Sequence, residues 1–470
     1  MVQWLPWGVD AFARARAEGK PVLLSITAAW CRACHEMDRT TYAEPGVAAL
    51  IRDRFIPVRV DTDRRPDIND RYNLGGWPTT AFLTSDGDVL TGATFVPPDR
   101  MSGVLTRVAD AFHARNVDMH GSTPAARDLA EAEGEGGRRD LSIDELVDSI
   151  FSTFDQEHGG FGIEPKFPLT APLHLAIALY RDNGDERWRH IVEHTLDGMA
   201  DGGLWDRAGA GGFYRYATTR DWRFPHEEKL LETNAGLLRV FAEAALVFGR
   251  SVDRDRCKAL AGFITTTLRA EAGGFHGSDA DRILYADANA AAAGALLGAA
   301  TVLDDSTLGQ EALASFERVI MLCYKPGLGI AHYFDGAARV RGLLGDQVAA
   351  IAGLLDAYDV SAGEPYRMMA EELGLFIVRD MWDAAGGGFF DRAPTPDDIG
   401  LLRRRRKPFV MNADAALALA RLARLEQRKG FPDPDAFREY ADGALRASAA
   451  QLDGQGPLAA HYALAARLFL

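Results

Sequence analysis

The first part of the chain alternates short apolar runs with segments of helical periodicity. Apolar runs at residues 21–27, 55–61 and 77–83 have the length and β-branched content of buried strands. Polar residues with helical spacing separate the runs, and Asp86-Gly87 marks a hairpin turn after the third. The pattern predicts a small α/β domain over residues 1–116.

The remainder of the chain has a different pattern. Residues 117–140 are polar, rich in Gly and Glu and without periodicity, which predicts an interdomain linker. From residue 141 to residue 470, apolar residues recur at the three- and four-residue spacing of amphipathic helices. This second part is predicted to be all-α.

A motif of glycine before an aromatic residue recurs in the helical part. It is found at residues 159–161, 211–213, 273–275 and 386–389. The repeat of roughly 50 to 65 residues is what two helices and their connections require, so about twelve helices form six hairpins. Short connections alternate with the long connections that carry the motif, and the short ones are predicted at 184–185, 250–251, 304–305, 361–363 and 431–433.

Because successive helices run antiparallel, every long connection emerges at the same end of such an assembly. Loops on a rigid scaffold commonly carry function, so this end is the expected site. We call it the long-loop face. Six hairpins over residues 141–470 predict an (α/α)6 toroid.

Composition narrows the class of protein. The chain has 470 residues, 47% of them hydrophobic and 25% charged, with a net charge of −15. This acidic balance argues against nucleic acid or an anionic membrane as a partner. Residues 1–7 lack the basic start and apolar core of a signal peptide, and we expect no segment long enough to span a bilayer. The expected location is cytoplasmic.

The strongest chemical signal is Trp30-Cys31-Arg32-Ala33-Cys34-His35, directly after the first apolar run. A strand that delivers Cys31 to the first turn of a helix places its sulfur near unpaired N–H groups and the positive end of the helix dipole, which favours the thiolate. Trp77-Pro78, at the entry to the third strand, predicts a cis proline. In this interpretation Pro78 lies beside the dithiol and shapes the groove for a substrate disulfide.

Other chemistry fits the cysteine motif less well. Haem attachment through Cys31, Cys34 and His35 requires an exported, haem-wrapped domain, and the sequence has neither a signal peptide nor a methionine-bearing haem segment. A zinc site at the same residues lacks a fourth ligand. We therefore expect no metal and no cofactor. A thiol fold whose cysteines no longer turn over remains an alternative, and Cys257 and Cys323 are expected to be small core residues.

The first domain resembles the thioredoxin superfamily, and within it the thioredoxin-like domain of unknown function 255 that occurs in relatives of spermatogenesis-associated protein 20. The resemblance rests on Trp30 to His35, Met37-Asp38-Arg39, Phe55 to Val58, Val60-Asp61 through Arg65 to Ile68, Gly75-Gly76-Trp77-Pro78-Thr79 and the Asp86-Gly87 turn. It implies a site of Cys31 as nucleophile, Cys34 as resolving thiol, Trp30 and Pro78. Ser25 departs from the pattern, because thioredoxin typically has a buried Asp there that helps to move protons.

The helical part resembles the six-hairpin glycosidases and the N-acylglucosamine 2-epimerases, and relatives of spermatogenesis-associated protein 20 join such a barrel to the thioredoxin-like domain. The matching runs are Gly159 to Gly162 with Pro165 to Pro168, Met199 to Asp206, Gly212 to Tyr216, Asp221-Trp222 and Pro225 to Lys229. The resemblance implies that the even-numbered helices of the twelve form the inner ring.

The long-loop face gathers side chains suited to carbohydrate chemistry. A glycosidase needs two carboxylates that flank one bond, whereas a sugar epimerase needs two opposed proton-transfer groups, for which His226 and His332 are candidates. Such residues also often cap helices and satisfy loop donors, and Lys229 and Glu232 are expected to pair on a helix face. The candidate residues at the barrel mouth are Lys166, Asp206, Tyr216, Asp221, His226, Glu228, Asp279, Asp281, His332 and Asp346.

Three hypotheses for function follow. The first is a thiol–disulfide oxidoreductase that acts on a protein or small-molecule disulfide through Cys31 and Cys34. The second is a sugar-processing barrel, with a sugar-like ligand, for which the thioredoxin-like domain is a docking or regulatory module. The third is a non-catalytic scaffold that binds a ligand at the barrel mouth. None of the three requires nucleic acid or a membrane.

Overall fold

The computed structural model describes residues 1–118, 142–396, 398–429 and 436–469. The chain divides into two compact units, one of Met1–Glu135 with Pro394–Arg405 and one of Gly136–Ala393 with Arg406–Leu470. The predicted linker lies outside the described residues from residue 119 onwards, as does the predicted short connection at 431–433.

The first unit is an α/β domain around one five-stranded sheet. Its strand order is β1-β3-β2-β4-β5, with β1, β3 and β2 parallel and β4 and β5 antiparallel to their neighbours. The predicted thioredoxin-like fold is confirmed. The strands are β1 Leu5–Pro6, β2 Val22–Thr27, β3 Ile56–Asp61, β4 Thr79–Leu83 and β5 Val89–Ala93. The helices are α1 Val9–Glu18, α2 Arg32–Thr40, α3 Pro45–Arg54, α4 Pro66–Tyr72 and α5 Pro98–Asp118.

Both faces of this sheet are covered, which is why its central strands are apolar without alternation. One face packs on a cluster that includes Phe12, Val58 and Tyr72, and the other packs on a cluster that includes Met37 and Phe82. In β2 every residue from Val22 to Ile26 is buried.

The first unit also contains a segment that we expected in the barrel. Pro394–Arg405 groups with the N-terminal residues, and its Ile399 and Leu402 belong to the same apolar cluster as Val58 and Tyr72. A short 3₁₀ turn at Gly400–Arg403 places Leu402 inside. The boundary at residue 141 therefore does not separate all residues of the two units.

The second unit is built from two concentric layers of helices, with short strands β6 to β11 in its loops. Helices α7, α9, α11, α13, α15 and α17 contact one another in that order, and α17 contacts α7, which closes an inner ring. The helices are α6 Ile143–Phe151, α7 Ala171–Asn183, α8 Glu186–Gly202, α9 Leu231–Phe248, α10 Ser251–Thr267, α11 Ala286–Leu303, α12 Ser306–Cys323, α13 Leu344–Ser361, α14 Glu364–Met381, α15 Phe409–Lys429, α16 Ala436–Ala449 and α17 Ala459–Ala466. The strands are β6 Tyr216–Ala217, β7 Pro225–His226, β8 Leu284–Tyr285, β9 Tyr324–Lys325, β10 Gly329–Phe334 and β11 Ala338–Arg341.

This architecture confirms the predicted (α/α)6 toroid with the even-numbered helices of the twelve inside. Within the described residues, the short connections lie at 184–185, 249–250, 304–305 and 362–363, the first and third as predicted and the other two within one residue of the predicted bounds. The inner helices α7, α9, α11 and α13 each begin at the long-loop face and end at a short connection, whereas residues 430–435 after α15 lie outside the described part of the chain and α17 is the last helix. The first turns of the inner helices therefore meet at one end of the ring.

Helix α11 corrects one expectation from the sequence. Its 18 residues are long and apolar enough to cross a bilayer, alone among the described helices, and 67% of that stretch is buried inside the fold. Its place in the inner ring accounts for the composition, because α9 and α13 pack on either side of it.

The glycine-aromatic motifs at 211–213, 273–275 and 386–389 form tight reversals, and an amide side chain of the next inner helix bonds to each of them. The N–H of Phe275 donates to Oδ1 of Asn289 at 2.7 Å, and Nδ2 of Asn289 donates to the carbonyl of Phe275 at 2.9 Å. An amide in the first turn of the helix thus replaces a strand partner. The same pair of bonds joins Phe213 to Asn234, Ile330 to Gln347 and Phe389 to Asn412.

Candidate active sites

Cys31 and Cys34 lie where β2 passes into α2. Cys31 is the N-cap of α2, and its Sγ accepts a hydrogen bond from the N–H of Cys34 at 3.1 Å. The two residues form a disulfide with their Cα atoms 5.2 Å apart. Cys31 is 5% exposed and Cys34 1%, so Cys31 is the more accessible of the two residues. The predicted position of the dithiol at a helix start is confirmed.

Two tryptophans flank the disulfide. The rings of Trp30 and Trp77 pack against the two cysteines and meet edge to face, with centroids 5.5 Å apart. Nε1 of Trp30 donates to Asp63 at 2.6 Å. The Trp77–Pro78 bond is cis, as predicted from the sequence. Pro78 immediately precedes β4, whose Thr79 pairs with Ile26 of β2.

Ser25 occupies the buried position of β2 at which thioredoxin typically has an acid, and other hydroxyl groups lie nearby. Ser25 is fully buried and pairs in register with Thr80 of β4. Oγ1 of Thr80 lies 3.2 Å from the hydroxyl of Tyr42, and burial raises the pKa of Tyr42. These groups stay neutral over the physiological range, so this position supplies no carboxylate for proton transfer.

Several predicted barrel residues are engaged in bonds that hold the loops. Lys166 is fully buried and its Nζ bonds Asp155 at 2.6 Å. Asp206 bonds Nζ of Lys229 at 2.6 Å, and this bond lowers the pKa of Asp206. Lys229 therefore pairs with a loop carboxylate rather than with Glu232.

Two further candidates have other surroundings: Asp221 bonds to groups of its own loop, and Asp279 faces solvent. The carboxylate of Asp221 accepts from the hydroxyl of Thr219 at 2.7 Å and from the N–H of Arg223 at 3.2 Å. The Thr219 bond lowers the pKa of Asp221. Asp279 is exposed. The bonds of Asp221 thus lie within its own loop, and among the described residues the structure does not bring Asp279 into a hydrogen bond with the other candidates.

The connection before α9 brings three other candidates together. The rings of Tyr216 and His226 stack with centroids 4.9 Å apart, and Phe167 stacks on the other side of Tyr216 at 4.7 Å. Nδ1 of His226 lies 2.6 Å from Oε1 of the buried Glu228. Burial, with the charge of Glu228 adding to it, raises the pKa of Tyr216. Partly exposed stacked rings of this kind offer a platform for an apolar face of a ligand.

A second group forms around His332 on β10. Nδ1 of His332 lies 2.7 Å from Oδ1 of Asp346, which is in the first turn of α13. Both side chains are buried. The hydroxyl of Tyr285, whose ring packs near His332, donates to Asp281 at 2.6 Å. The carboxylate of Asp346 thereby fixes the orientation of the imidazole.

Sequence reasoning missed two acidic residues of the same region. Glu232 and Asp287 are the second residues of α9 and α11. Burial raises the pKa of Asp287, with a further contribution from Asp346, and burial together with the charge of Asp287 raises the pKa of Glu232. Many protein atoms lie around the carboxyl of Glu232, yet its side chain is exposed to solvent. The sequence did contain one pattern that could have identified them, because successive inner helices each have an acidic residue in the first turn.

One group of side chains has the composition of a metal site. Asp287, His332 and Asp346 each place one possible ligand atom within 4.8 Å of the others. Among the described residues this is the one such group of three or more His, Cys, Asp or Glu side chains. Two carboxylates and an imidazole are ligands that suit several divalent transition metals.

Comparison with known proteins agrees with the division into two parts. Residues 1–127 match the family model Thioredox_DsbH, described as a protein of unknown function, DUF255. The N-terminal region is a Thioredox_DsbH domain. The thiol:disulfide interchange protein DsbD of Cronobacter sakazakii is 33% identical to this chain over 107 residues, which are 22% of this chain and 18% of that protein.

The chain is also homologous to spermatogenesis-associated protein 20. The protein from Mus musculus is 31% identical over 307 residues, and the match covers 60% of this chain. It covers 39% of the mouse protein, so this chain corresponds to well under half the length of that relative.

Solved structures share the barrel fold. A D-mannose isomerase superimposes with a TM-score of 0.56 at 14% identity, over 69% of this chain and 95% of that one. The cellobiose 2-epimerase of Bacillus thermoamylovorans B4167 gives a TM-score of 0.54 at 12% identity, over 65% of this chain and 86% of that one. At these identities the likeness concerns the fold alone.

Proposed function

We propose that this protein catalyses thiol–disulfide exchange at Cys31 and Cys34. The observation that carries the proposal is the sulfur of Cys31 at the start of α2, where the N–H of Cys34 points at it. An N–H donor and the helix dipole stabilise the negative charge that the sulfur carries as a thiolate. The two tryptophans pack against the apolar cluster that contains both cysteines, and Pro78 directly follows the second tryptophan through a cis bond. The likeness to DsbD over this region supports the same chemistry.

The reaction balances as two successive exchanges. The reduced protein attacks a substrate disulfide with the thiolate of Cys31, which forms a mixed disulfide and releases one substrate thiolate. The thiolate of Cys34 then attacks the sulfur of Cys31, which closes the Cys31–Cys34 disulfide and releases the second substrate thiolate. Two electrons pass to the substrate, and both substrate thiolates take protons from water. A dithiol donor must reduce the protein before the next cycle.

The Cys34→Ser variant tests this order of steps. Because it keeps Cys31 and lacks the resolving thiol, we expect it to accumulate as a mixed disulfide when it is reduced and mixed with oxidised insulin. Mass spectrometry under non-reducing conditions should show the adduct, and dithiothreitol should release it. The Cys31→Ser variant, treated in the same way, should form no adduct. Adducts of equal yield in both variants would contradict the assignment of the nucleophile.

A second candidate function belongs to the barrel. We propose that the barrel mouth binds a sugar, with His332 and Asp287 as its proton-transfer groups. The supporting observations are the bond that orients His332 and the position of Asp287, whose carboxylate lies within 4.8 Å of that imidazole and whose pKa is raised by burial. The fold is shared with a D-mannose isomerase and a cellobiose 2-epimerase.

Deuterium exchange provides the test for the sugar hypothesis. The wild-type protein in heavy water is expected to incorporate deuterium at C2 of D-mannose or cellobiose, measured by proton NMR. Asp287→Asn should lose this exchange, whereas Asp279→Asn, a change at an exposed carboxylate, should keep it. Wild-type protein that leaves both sugars unlabelled, or an Asp287→Asn variant that labels them at the wild-type rate, would contradict the hypothesis.

Thermal unfolding separates lost chemistry from lost folding in that experiment. A carboxyl with a raised pKa in the folded state binds its proton more tightly there than in the unfolded state, so it contributes stability at low pH that is lost as the pH rises through the folded value. Above that pH the charged carboxylate of Asp287 destabilises the folded state. Asparagine carries no charge, so Asp287→Asn removes this destabilisation. At about pH 7.5 the variant should therefore melt no lower than wild type.

A further inference from the structure

A loop of the helical part supplies a segment to the first unit. Because the first unit carries the proposed thiol–disulfide site, we call it the redox unit. Residues 398–405, which we call the strap, lie in the connection between α14 and α15 and belong to the segment that groups with the N-terminal unit. Hydrogen bonds join the residues on either side of this segment. The N–H of Asp391 donates to the carbonyl of Arg406 at 2.7 Å, and the N–H of Arg406 donates to the carboxylate of Asp391 at 3.0 Å.

Two apolar side chains anchor the strap. Leu402 is fully buried and Ile399 is 5% exposed. Both pack in the cluster that covers one face of the sheet of the redox unit, together with Tyr72 of α4. Because burial of apolar side chains is the main stabilising contribution to such a core, the strap is an integral part of it.

Polar contacts tie the strap to the last turn of α4. The hydroxyl of Tyr72 accepts from the N–H of Leu401 at 2.9 Å and donates to the carbonyl of Gly87 at 2.7 Å. The guanidinium of Arg71 donates to the carbonyl of Leu401 at 3.1 Å and to that of Arg404 at 3.0 Å. Burial raises the pKa of Tyr72, so its hydroxyl keeps the proton that it donates.

The fit at this contact excludes a side chain on the strap. Gly400 has a positive φ of 56°, and a Cβ at this position would lie 2.3 Å from the hydroxyl oxygen of Tyr72 and 2.6 Å from the carbonyl oxygen of Gly87. Glycine is the residue that accommodates both the backbone conformation and the close approach. The contact is thus specific in sequence as well as buried.

Helix α4 in turn holds the loop that leads to Pro78, residues 73–78. Oδ1 of Asn69 accepts from Nε1 of Trp77 at 3.1 Å. Oδ1 of Asn73, which follows the helix directly, accepts from the N–H groups of Gly75 at 2.8 Å and Gly76 at 2.9 Å. The ring of Trp77 packs against the disulfide. A displacement of α4 would therefore reach the wall of the disulfide groove.

We propose that the strap is a positioning element of the thiol–disulfide site. It holds the end of α4, which holds the Pro78 loop and with it the surface that a protein substrate would contact. The inference rests on the proposed exchange activity. Tyr72 and Leu402 are positioning residues, since they act on the groove through α4 and touch neither cysteine.

The test compares a protein disulfide with a small one. Tyr72→Phe and Leu402→Ala should each raise KM for insulin by about three- to tenfold, the loss expected from one buried hydrogen bond or a small cavity. Their rate with hydroxyethyl disulfide, which is too small to need the groove, should stay within about twofold of wild type. Leu105→Ala is the matched control, because Leu105 is equally buried in the same unit but in the cluster on the other face of the sheet.

Hydrogen exchange gives a readout that does not require activity. Amide protection in the peptide covering residues 73–78 should fall in Leu402→Ala and stay at the wild-type level in Leu105→Ala. Equal loss of protection in both variants, or parallel loss of activity toward both disulfides, would mean that the strap only stabilises the fold and would overturn the inference. If wild-type protein reduces neither disulfide, the exchange activity fails, while the protection experiment still decides the role of the strap.

Discussion

Replacing Cys31 by Ser is expected to lower insulin reduction by dithiothreitol to the rate without protein, whereas wild type accelerates it. A serine hydroxyl does not attack a disulfide at neutral pH, since the thiolate is the nucleophile in exchange. The substitution preserves the size of the side chain. It also leaves an oxygen acceptor at the N-cap of α2, a position that serine favours. The loss should therefore be chemical, and turbidity of the precipitating insulin chains measures it.

The control for this prediction is a cysteine that the site does not use. Cys257 is fully buried in α10, and burial raises the pKa of its thiol to about 12, so it carries almost no thiolate at neutral pH. Cys257→Ala should reduce insulin as wild type does. Activity that survives in Cys31→Ser, or that disappears in Cys257→Ala with the fold intact, would refute the assignment.

Local periodicity explains how much of the fold could be predicted. The central strands of the first unit were predictable because each is an apolar run of strand length bounded by polar residues, as at Val22–Thr27. The helical hairpins were predictable because glycine-aromatic loops recur between amphipathic segments. Both signals lie within one element or one repeat. There the spacing of apolar residues indicates which face of the strand or helix is buried.

The strap escaped prediction because its partners are distant in sequence. Ile399 and Leu402 form too short an apolar pattern to indicate burial alone, and the bond between Arg71 and Leu401 spans 330 residues. Residues 403–407 are all basic and suggest a solvated loop, yet the neighbouring Leu402 is fully buried. Contacts of this range depend on the whole tertiary fold rather than on any local pattern.

The sequence also could not distinguish catalytic candidates in the barrel from residues that hold its loops. Lys166 and Asp206 have the residue types of catalysts, but the fold pairs them with Asp155 and Lys229. Glu232 and its counterparts in the first turns of inner helices resemble ordinary helix-start acids in the sequence. Only the closure of the ring brings such residues near one another. The polar residues could therefore be enumerated from the sequence, whereas their partners could not.

Replacing Asn289 by Ala is expected to destabilise the barrel by about 2–5 kcal/mol. The side chain is 2% exposed and satisfies the N–H and carbonyl of Phe275, together with the carbonyl of Tyr285 at 2.8 Å. Alanine leaves these buried backbone groups without their partner and opens a small cavity beside them. Urea unfolding followed by far-UV circular dichroism should show the loss as a lower midpoint.

The matched control is Asn183→Ala at the exposed end of α7, where the side-chain oxygen accepts only from the N–H of Asp185. A change at such a position should cost well under about 1 kcal/mol. Asn412→Ala should match Asn289→Ala, because Asn412 makes the same pair of bonds to Phe389. If Asn289→Ala unfolds no earlier than Asn183→Ala, burial of the aromatic ring alone holds these reversals. In that case the amide in the first turn of the inner helix is dispensable to the shape of the barrel mouth.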